Sequence, residues 1–299
     1  MIHHTHDEKQ IPLRRGTAAH GTKRNDERIR NTPNVEHPAD RLHGPNAGTA
    51  QPVNTSKSKA ALVTGAAGSL GRAIARKLLA DGFFVQLADV RSDALDQART
   101  SLDPSGEVTD AVVLDLRDVE ALQEMALPSA TGGPPLEVLV NNAGMADARP
   151  LRDISVSEWD DVLAVNLRSA FFLTRRIAEE MAERGYGRVI NMASLAGQSA
   201  RPSGVHYAAS KAGLIGLTRV LASEYAPHVT VNAVAPGPID TPLLRGFGEA
   251  VVQQVSSTVP VGRLGTADEV AALVSFLASE DAGFITGATY DINGGILMR

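Results

Sequence analysis

Three side chains that can move a proton lie within eighteen residues of the sequence: Ser194, Tyr207 and Lys211. A helix through Tyr207 and Lys211 would place both side chains on one face, one turn apart, because they are four positions apart. A phenol must lose about 3 pKa units from its reference value near ~10 to ionise at neutral pH, and a neighbouring ammonium supplies most of the field required. The spacing therefore indicates a general acid or base at Tyr207.

The same Tyr-x-x-x-Lys pattern is also typical of an ordinary amphipathic helix with an exposed lysine. A proton donor is useful only beside a bound substrate, so the remaining sequence must supply a binding cavity. The choice between the two interpretations depends on those other elements.

The composition limits the class of protein. The chain has 299 residues, of which 43% are hydrophobic and 21% charged, enough for a sizeable core in one large domain or two small ones. It has no cysteine, which excludes disulfides, a thiol nucleophile and cysteine metal sites, and is compatible with a reducing cytoplasm. No apolar run approaches a membrane span, and the N-terminus lacks the apolar core of a secretory signal. We therefore expect a soluble, cytoplasmic protein with no membrane partner.

Charge separates a basic head from an acidic body. Residues 1–59 hold 10 Lys/Arg against 6 Asp/Glu, whereas residues 60–299 hold 19 against 28. The head also carries six of the eight histidines and no apolar periodicity, so it is predicted to be a disordered basic extension. His3, His4 and His6 could hold a metal only loosely, and no metal site is expected. The acidic body argues against nucleic acid as a partner.

From Ala60 onwards, short apolar runs alternate with helical patterns. The runs are apolar on successive residues, which fits strands buried on both faces of a parallel sheet. They cover residues 60–64, 83–88, 111–114, 136–140, 188–192 and 229–234, and the predicted helices between them include 70–80, 157–183 and 207–226. This alternation predicts a single-domain, doubly wound α/β fold of Rossmann type over residues 60–299, with three layers.

Glycines recur at every third position in the turn after the first predicted strand, at Gly65, Gly68 and Gly71. Exposed backbone amides and the dipole of the following helix would favour a pyrophosphate at this turn. The spacing differs from the G-x-G-x-x-G fingerprint, and glycines that serve only a tight turn are the alternative. The strand before and the helix after favour dinucleotide binding.

Acidic residues end the next two predicted strands. Asp89 can accept hydrogen bonds from the adenosine ribose and repel a 2′-phosphate, which favours NAD over NADP. A turn or helix cap is the alternative for Asp89, and the nearby Arg91 is a contrary signal, because an arginine can accommodate the 2′-phosphate. Asp115 is a similar candidate for the adenine edge, again with a turn or cap as the alternative.

These motifs occur in one order along the chain. The glycine turn is followed by Asn141-Asn142-Ala143-Gly144, Asn166, Ser194, Tyr207 with Lys211, and Pro236-Gly237. In order and spacing they resemble the short-chain dehydrogenase/reductase family over residues 60–299. Within that family, the general pattern of the sequence resembles the 3-oxoacyl-acyl-carrier-protein reductases. The resemblance implies an NAD(P)-dependent oxidoreductase that acts on a small-molecule carbonyl or secondary alcohol. Asn141 and Asn142 could alternatively serve only as strand-end hydrogen bonders that stabilise the sheet.

The resemblance assigns roles to four side chains. It implies that Tyr207 is the acid or base, that Ser194 orients the substrate oxygen, and that Lys211 lowers the Tyr207 pKa and holds the nicotinamide ribose. Asn166 would hold a water in a proton relay to Lys211. The alternative is a satisfied core asparagine that bends its helix.

The resemblance also implies a cofactor site built from the turns that follow the strands. Ser69 replaces the family's usual middle glycine, and its hydroxyl can donate a hydrogen bond to the pyrophosphate. The backbone of Ile239 would meet the nicotinamide amide, with Thr241 near a phosphate. The C-terminal end resembles a subunit interface, so a homotetramer, or a dimer, is expected. The implied cofactor set is Gly65, Gly68, Ser69, Leu70, Gly71, Asp89, Asp115, Leu116, Asn142, Ala143, Gly144, Tyr207, Lys211, Pro236, Gly237, Ile239 and Thr241.

Two other functions remain open for the body of the chain, and nucleic-acid binding through the basic head is a third, which predicts a steep salt dependence that disappears on truncation before Ala60. A 3-oxoacyl thioester reductase that uses NADPH would dock an acidic carrier through arginines, but Gly185 and Ser223 occupy the positions where these are expected, and Arg184 could substitute. A dinucleotide-binding regulator without catalysis is the second, although the intact catalytic set argues against it.

The sequence gives the least information about the identity of the substrate. Residues 243–259 are predicted to form a mobile lid over the substrate pocket. Gln198, Ser199, His206 and Phe247 could line that pocket, and His206 could equally lie at the surface beside the start of its helix.

Overall fold

Seven parallel strands form the central sheet of the residues that the structure describes. The computed structural model describes residues 58–146, 150–200, 204–246 and 248–299, so the predicted basic extension lies almost entirely outside them, as does Phe247. The strands are β1 (Ala60–Thr64), β2 (Phe84–Asp89), β3 (Thr109–Val113), β4 (Leu136–Asn141), β5 (Gly187–Met192), β6 (Val229–Pro236) and β7 (Thr289–Ile292). Their order in the sheet is β3-β2-β1-β4-β5-β6-β7.

Helices cover both faces of the sheet. The α-helices are α1 (Ser69–Ala80), α2 (Ser92–Leu102), α3 (Val119–Glu124), α4 (Val156–Leu163), α5 (Ser169–Glu183), α6 (Val205–Glu224), α7 (Pro242–Arg245), α8 (Glu249–Ser257) and α9 (Ala267–Ala278). Apolar side chains of α1 and α9 share one core, and those of α3, α5 and α6 share the other.

The strand β1 shows why its sequence is apolar on successive residues. Ala61 and Val63 belong to the core that α1 and α9 cover, whereas Ala60 and Leu62 belong to the core beneath α5 and α6. All four residues are fully buried, so neither face of the strand can be polar. The predicted doubly wound, three-layer α/β fold is confirmed.

The direction in which strands are added reverses at β1. β2 and β3 lie on one side of it, and β4 to β7 on the other. A crevice therefore opens between the carboxyl ends of β1 and β4, beside the start of α1. In open parallel sheets this reversal is where ligands bind.

The predicted helical segment over residues 157–183 is confirmed, but a π-helical turn that was not predicted interrupts its α-helical pattern. Residues Ala164–Arg168 form a π-helical turn between α4 and α5, and the Ser169 amide donates to the carbonyl of Ala164, five residues back. The Ser169 hydroxyl donates to the carbonyl of Val165 at 2.7 Å. The turn is stabilised because Asn166, a buried residue within it, is hydrogen-bonded to Met145 and Ser210 in neighbouring segments.

The six predicted strands are confirmed, with boundaries shifted by at most two residues. The seventh, β7, was not predicted, because its four residues are half-buried or exposed and form no apolar run. None of the helices in the described ranges is long and apolar enough to cross a membrane. Within the same residues, no group of three or more histidine, aspartate or glutamate side chains could hold a metal ion.

Candidate active site

A cavity of about 900 Å³ opens at the carboxyl edge of the sheet. Its volume lies at the upper end of the range for small-molecule and cofactor sites. The predicted residues that line it are Gly65, Gly68, Ser69, Leu70, Gly71, Asp89, Asp115, Leu116, Asn142, Ala143, Gly144, Ser194, Tyr207, Lys211, Pro236, Gly237 and Thr241. Segments far apart in the sequence thus form one wall.

Ser194 and Tyr207 meet at one end of this cavity. Ser194 follows β5 in extended backbone, and its hydroxyl accepts a hydrogen bond from the Ala196 amide at 3.1 Å. Tyr207 lies in the first turn of α6, and its phenol is hydrogen-bonded to the Ser194 side chain. Burial raises the pKa of the Tyr207 phenol, and the bond to Ser194 lowers it by less.

Lys211 lies one turn further along α6, so the predicted helical pairing is correct. Its side chain is only 3% exposed, and its Nζ donates to the Met192 carbonyl at 2.7 Å. The Nζ lies 5.7 Å from the centre of the Tyr207 ring. Burial lowers the pKa of Lys211 to about 8, because the charged form is poorly solvated there.

The pKa of Tyr207 therefore departs from its ordinary value in the opposite direction to the sequence argument. The spacing of four reveals the field of Lys211 but not the burial of the phenol. In the structure burial has the larger effect on the phenol, and it also weakens the tendency of Lys211 to carry charge. A lowered Tyr207 pKa requires further positive charge or hydrogen-bond donors at the site.

Asn166 is held in the π-turn by three hydrogen bonds and is 2% exposed. Its Oδ1 accepts from the Met145 amide at 2.7 Å, and its Nδ2 donates to the Met145 carbonyl at 2.9 Å and to the Ser210 hydroxyl at 3.0 Å. One acceptor position of Oδ1 remains. A Cβ on Gly144 would lie 3.4 Å from this oxygen and 3.4 Å from the Nζ of Lys211. A small space therefore separates the two side chains.

Close backbone packing requires two glycines of the turn, and the third leaves the start of α1 without a side-chain cap. A Cβ on Gly65 would lie 2.8 Å from the Cα of Ala143, and Gly65 has a φ of 65°, which side chains disfavour. A Cβ on Gly71 would lie 2.2 Å from the Gly65 carbonyl. Gly68 is the N-cap of α1, so the amides of the first helical turn face the cavity wall without a side-chain cap. This chemistry fits the diphosphate of a dinucleotide.

The loop after β4 is tied to the glycine turn. The Thr64 hydroxyl accepts from the amides of Asn142 at 3.0 Å and Ala143 at 3.1 Å, and the Asn142 side chain donates to the Thr64 carbonyl at 2.8 Å. Asn141 instead donates to Asn191 on β5 at 2.8 Å. Asn141 therefore stabilises the sheet, whereas Asn142 both joins two loops and lines the cavity.

The opposite end of the cavity carries two similar turns, Asp89-Val90-Arg91 after β2 and Asp115-Leu116-Arg117 after β3. In each, the arginine side chain and its own amide donate to the aspartate two residues earlier. Burial raises the pKa of Asp89, but hydrogen bonds from Arg91 and the Ala67 amide outweigh it and hold that pKa below its usual value. The bond from Arg117 lowers the pKa of Asp115.

Several predicted residues lie away from the cavity wall. Ile239 pairs with Gly265 in an isolated β-bridge and is not among the lining residues described. Asn166 reaches the site only through its contacts. Of the candidates for the substrate pocket, His206 is fully buried, with neither ring nitrogen hydrogen-bonded within the described residues, and Gln198 donates to Asp291 at 2.7 Å.

The predicted lid region contains two short helices, α7 and α8. Thr241 lines the cavity and caps α7, because its hydroxyl accepts from the Leu244 amide at 3.3 Å. The Ser199 hydroxyl donates to the Leu195 carbonyl at 3.0 Å, and Ser199 is not among the described residues that line the cavity.

Met145 and Arg117 are among the contributors that were missed from the sequence. Met145 lines the cavity and supplies both backbone groups that hold Asn166, and its position directly after Asn-Ala-Gly was the available signal. Arg117 lines the cavity wall beside Asp115, and the repeated Asp-x-Arg pattern at two strand ends could have identified it.

A doubly wound sheet with a glycine turn at its reversal and a Ser-Tyr-Lys set in the same cavity defines a dinucleotide-dependent oxidoreductase. The sequence matches the family model described as "Enoyl-(Acyl carrier protein) reductase" over residues 65–297. It is 37% identical over 239 residues to a 2-dehydro-3-deoxy-L-rhamnonate dehydrogenase (NAD(+)) of Sphingomonas, covering 79% of this chain and 94% of that one.

Two further comparisons agree. The chain is 35% identical to a 3-oxoacyl-[acyl-carrier-protein] reductase of Haemophilus influenzae, covering 81% of this chain and 99% of the relative. A putative short-chain alcohol dehydrogenase from Sinorhizobium meliloti superposes with a TM-score of 0.75 at 35% identity, covering 81% and 96% of the two chains. This chain belongs to the short-chain dehydrogenase/reductase family and is an NAD(P)-dependent oxidoreductase.

Proposed function

We propose that the enzyme interconverts a small-molecule secondary alcohol and its carbonyl compound, with Tyr207 as the acid or base. The observation that carries the proposal is the convergence of Ser194, Tyr207 and Lys211 at one end of a cavity whose wall continues to the glycine turn. A phenol bonded to a hydroxyl beside a buried amine can exchange a proton with a substrate oxygen.

The nicotinamide dinucleotide, when bound, supplies the site that accepts or donates the hydride. Ser194 donates a hydrogen bond to the substrate oxygen and fixes its position. In the direction of carbonyl reduction Tyr207 gives its proton to that oxygen, and in alcohol oxidation it removes the proton. A positive charge close to the phenol favours its ionised form, which opposes the effect of burial.

Lys211 and Asn166 support the proton transfer. Lys211 holds its ammonium beside Tyr207 and offers donors to the nicotinamide ribose. The space beside Gly144, flanked by the Oδ1 of Asn166 and the Nζ of Lys211, is suited to a bridging water that returns the proton to solvent. Asn166 is fixed well enough for this role, because Met145 and Ser210 hold its amide.

NAD is proposed as the preferred cofactor. Asp89 ends β2 in the cavity wall, where a carboxylate disfavours a 2′-phosphate. The 2-dehydro-3-deoxy-L-rhamnonate dehydrogenase of Sphingomonas carries NAD(+) in its name, which supports the same choice.

The alternative substrate class is a 3-oxoacyl thioester reduced with NADPH, supported by the Haemophilus relative. Docking of an acidic carrier would have to use Arg184, which already donates to the Leu136 carbonyl at 2.6 Å and lies 3.8 Å from Glu180. These contacts make a small alcohol or ketone the better candidate.

Steady-state assays of the purified full chain with NAD and NADP, against secondary alcohols, ketones and 3-oxoacyl thioesters, test the proposal. We expect turnover of alcohols or ketones, and no increase in thioester turnover as the acyl chain is lengthened. Thioester turnover that rises with chain length would favour the alternative. Tight dinucleotide binding without any turnover would instead support a regulator.

Assembly as a homotetramer, or a dimer, and a cytoplasmic location are proposed with the enzyme. In the described residues, β7 is an edge strand of the sheet, and Phe284, which is close to it in sequence, is fully exposed. A second subunit would cover both the strand edge and this aromatic side chain. Sedimentation equilibrium measures the assembly, and a monomer at micromolar concentration would contradict it. Fractionation of the source cells tests the location.

A further inference from the structure

We propose that Gln198 is a positioning residue, which holds Ser194 in place beside Tyr207 by joining the turn after Ser194 to strand β7. This role rests on the proposed function, because it serves the same proton transfer and adds no separate activity. It connects the reaction to Asp291 and Arg299, which are not among the described residues that line the cavity.

Ser194 is followed directly by a short 3₁₀ turn, Leu195–Gly197. The carbonyl of Ser194 accepts from the Gly197 amide at 3.0 Å, which starts the turn. Gln198 ends it, and its backbone amide donates to the Leu195 carbonyl at 3.0 Å. Only one hydrogen-bonded turn separates the two residues, so a displacement of Gln198 also displaces Ser194.

The first contact that fixes this turn is made with α6. A Cβ on Gly197 would lie 2.7 Å from the amide nitrogen of Ala212 and 2.7 Å from the carbonyl carbon of Lys211. The turn therefore packs directly on the backbone of the helix that carries Tyr207 and Lys211. Close packing prevents the turn from approaching α6 further, but it does not by itself hold the turn there.

The second contact is a hydrogen bond to β7. The Nε2 of Gln198 donates to the Oδ1 of Asp291 at 2.7 Å, while the Oδ2 of Asp291 accepts from the Nε of Arg299 at 3.1 Å. The backbone of Asp291 is itself fixed, because this residue pairs with Ala235 of β6 in the sheet. A bond to a carboxylate is stronger than one between neutral groups. Asp291 thus holds the end of the turn against the sheet.

Packing alone does not account for an amide at this position. Within the described residues the Oε1 of Gln198 is buried and has no hydrogen-bond partner. A buried oxygen of this kind costs free energy, which an apolar side chain of similar size would not. Gln198 is also not among the described residues that line the cavity. The bond to Asp291 is therefore the contribution that distinguishes glutamine from an apolar residue.

The position of Ser194 matters because its hydroxyl must contact two partners at once. It is hydrogen-bonded to the Tyr207 phenol, and in the proposed reaction it also donates to the substrate oxygen. A misplacement of about 1 Å can lower a rate by about 10²-fold. Loss of the bond between Gln198 and Asp291 should therefore lower kcat and leave dinucleotide binding almost unchanged.

The test is an exchange of the two bonded groups, measured as kcat and KM for the alcohol or ketone that the full chain turns over. Gln198→Glu keeps the shape of the side chain but places a carboxylate against Asp291, and we expect kcat to fall about tenfold or more. Asp291→Asn keeps an acceptor for Gln198, so kcat should stay within about threefold. In the double variant the new amide can donate to the new carboxylate, which should restore kcat to within about threefold of the unmodified protein.

Two further variants separate positioning from stability and from charge. Gln198→Met removes both the bond and the unpartnered oxygen, so the melting temperature should be kept while kcat falls about fivefold. Gln123→Glu adds the same charge at an exposed position of α3 and should leave kcat unchanged. NADH titrations of all variants should give dissociation constants within about threefold of one another, because none of the changed residues is among the described cavity-lining residues.

Unchanged kcat in Gln198→Glu and Gln198→Met would overturn the role of Gln198 while leaving the proposed function intact. A loss in Gln198→Glu that Asp291→Asn does not restore would also overturn it. If Gln198→Glu does not fold, as judged by circular dichroism, the kcat of Gln198→Met decides the question. If the unmodified protein turns over no alcohol or ketone, the proposed function fails and this inference fails with it.

Discussion

The two ends of the cavity keep their polar groups in different ways. At the end that holds Ser194 and Tyr207, the proposed catalytic end, Asn166 and Lys211 are 2% and 3% exposed, and each is held by backbone carbonyls or amides. At the opposite end, the proposed adenosine end, the side chains of Arg91 and Arg117 are 60% and 49% exposed, and each is paired with a nearby carboxylate. Burial fixes the first set in place, whereas water screens the two arginines of the second, although the Asp89 carboxylate is itself buried.

This difference separates chemistry from selection. A buried group that loses its contact has no water to replace it, so changes at the catalytic end should have large effects. An exposed ion pair contributes little to stability and can exchange partners with a ligand. On the proposed function, we expect the first end to determine whether the reaction occurs and the second to determine which dinucleotide is used.

The largest expected effect is that of Tyr207→Phe. The variant should lose turnover by about 10³-fold or more, because the proton donor is gone, while dinucleotide binding stays within a few-fold. Steady-state rates together with NADH fluorescence titration separate the two quantities. Tyr225→Phe is the control at the other end of α6, where the phenol donates to the Arg175 carbonyl at 3.3 Å. Equal rates for unmodified protein and Tyr207→Phe would refute the assignment.

A second effect concerns Lys211 and pH. The folded pKa of about 8 lies below the unfolded value of 10.5, so between these values the unfolded chain binds more protons and stability rises with pH. Unmodified protein should therefore gain about 3 kcal/mol relative to Lys211→Met over this window, and lose it as pH falls through about 8. Urea titrations of both proteins at several pH values measure the gain. A difference that does not change with pH would contradict the buried amine.

Gly144→Ala tests the space flanked by Asn166 and Lys211. The added methyl would make ordinary contacts at 3.4 Å with both, so the fold should tolerate it, but a bridging water would be displaced. We expect kcat at saturating dinucleotide to fall about tenfold, part of the contribution of proton transfer. Gly216→Ala in α6, where no atom lies within 4 Å, should leave kcat unchanged. Equal kcat values for both variants would exclude a water at this position.

The smallest effect is expected from Asp89→Asn at the adenosine end. Because Arg91 already compensates the carboxylate charge, NADH binding should weaken by only a few-fold, while the released guanidinium improves NADPH binding. Dissociation constants for both cofactors are the measurement. If NADH binding instead weakened a hundredfold, Arg91 would not screen the charge of Asp89, and the proposed difference between the two ends of the cavity would be wrong.

Much of the site follows from local sequence signals. The turn at Gly65, Gly68 and Gly71 lies between an apolar run and a helical pattern, so its place between the first strand and the first helix could be predicted. Tyr207 and Lys211 lie within one helix, where a spacing of four fixes their common face. Signals of this kind need only neighbouring residues.

The features that could not be predicted depend on contacts between distant segments. The π-turn exists because Asn166 bonds to Met145 and Ser210, 21 and 44 positions away. The lowered pKa of Asp89 depends in part on the Ala67 amide, 22 positions earlier. The raised pKa of Tyr207 follows from burial that spacing does not reveal.

The π-turn adds one residue to its helix without changing how the two flanking helices face the sheet. A π-turn holds one residue more than an α-turn within about one revolution. Deleting one residue within Ala164–Arg168 would therefore restore an α-helical turn and leave α4 and α5 in nearly the same rotation relative to each other. The residues of the turn itself would move, so that Asn166 would lose its contacts with Met145 and Ser210. The extra residue thus fixes the position of this asparagine independently of the packing of the two helices.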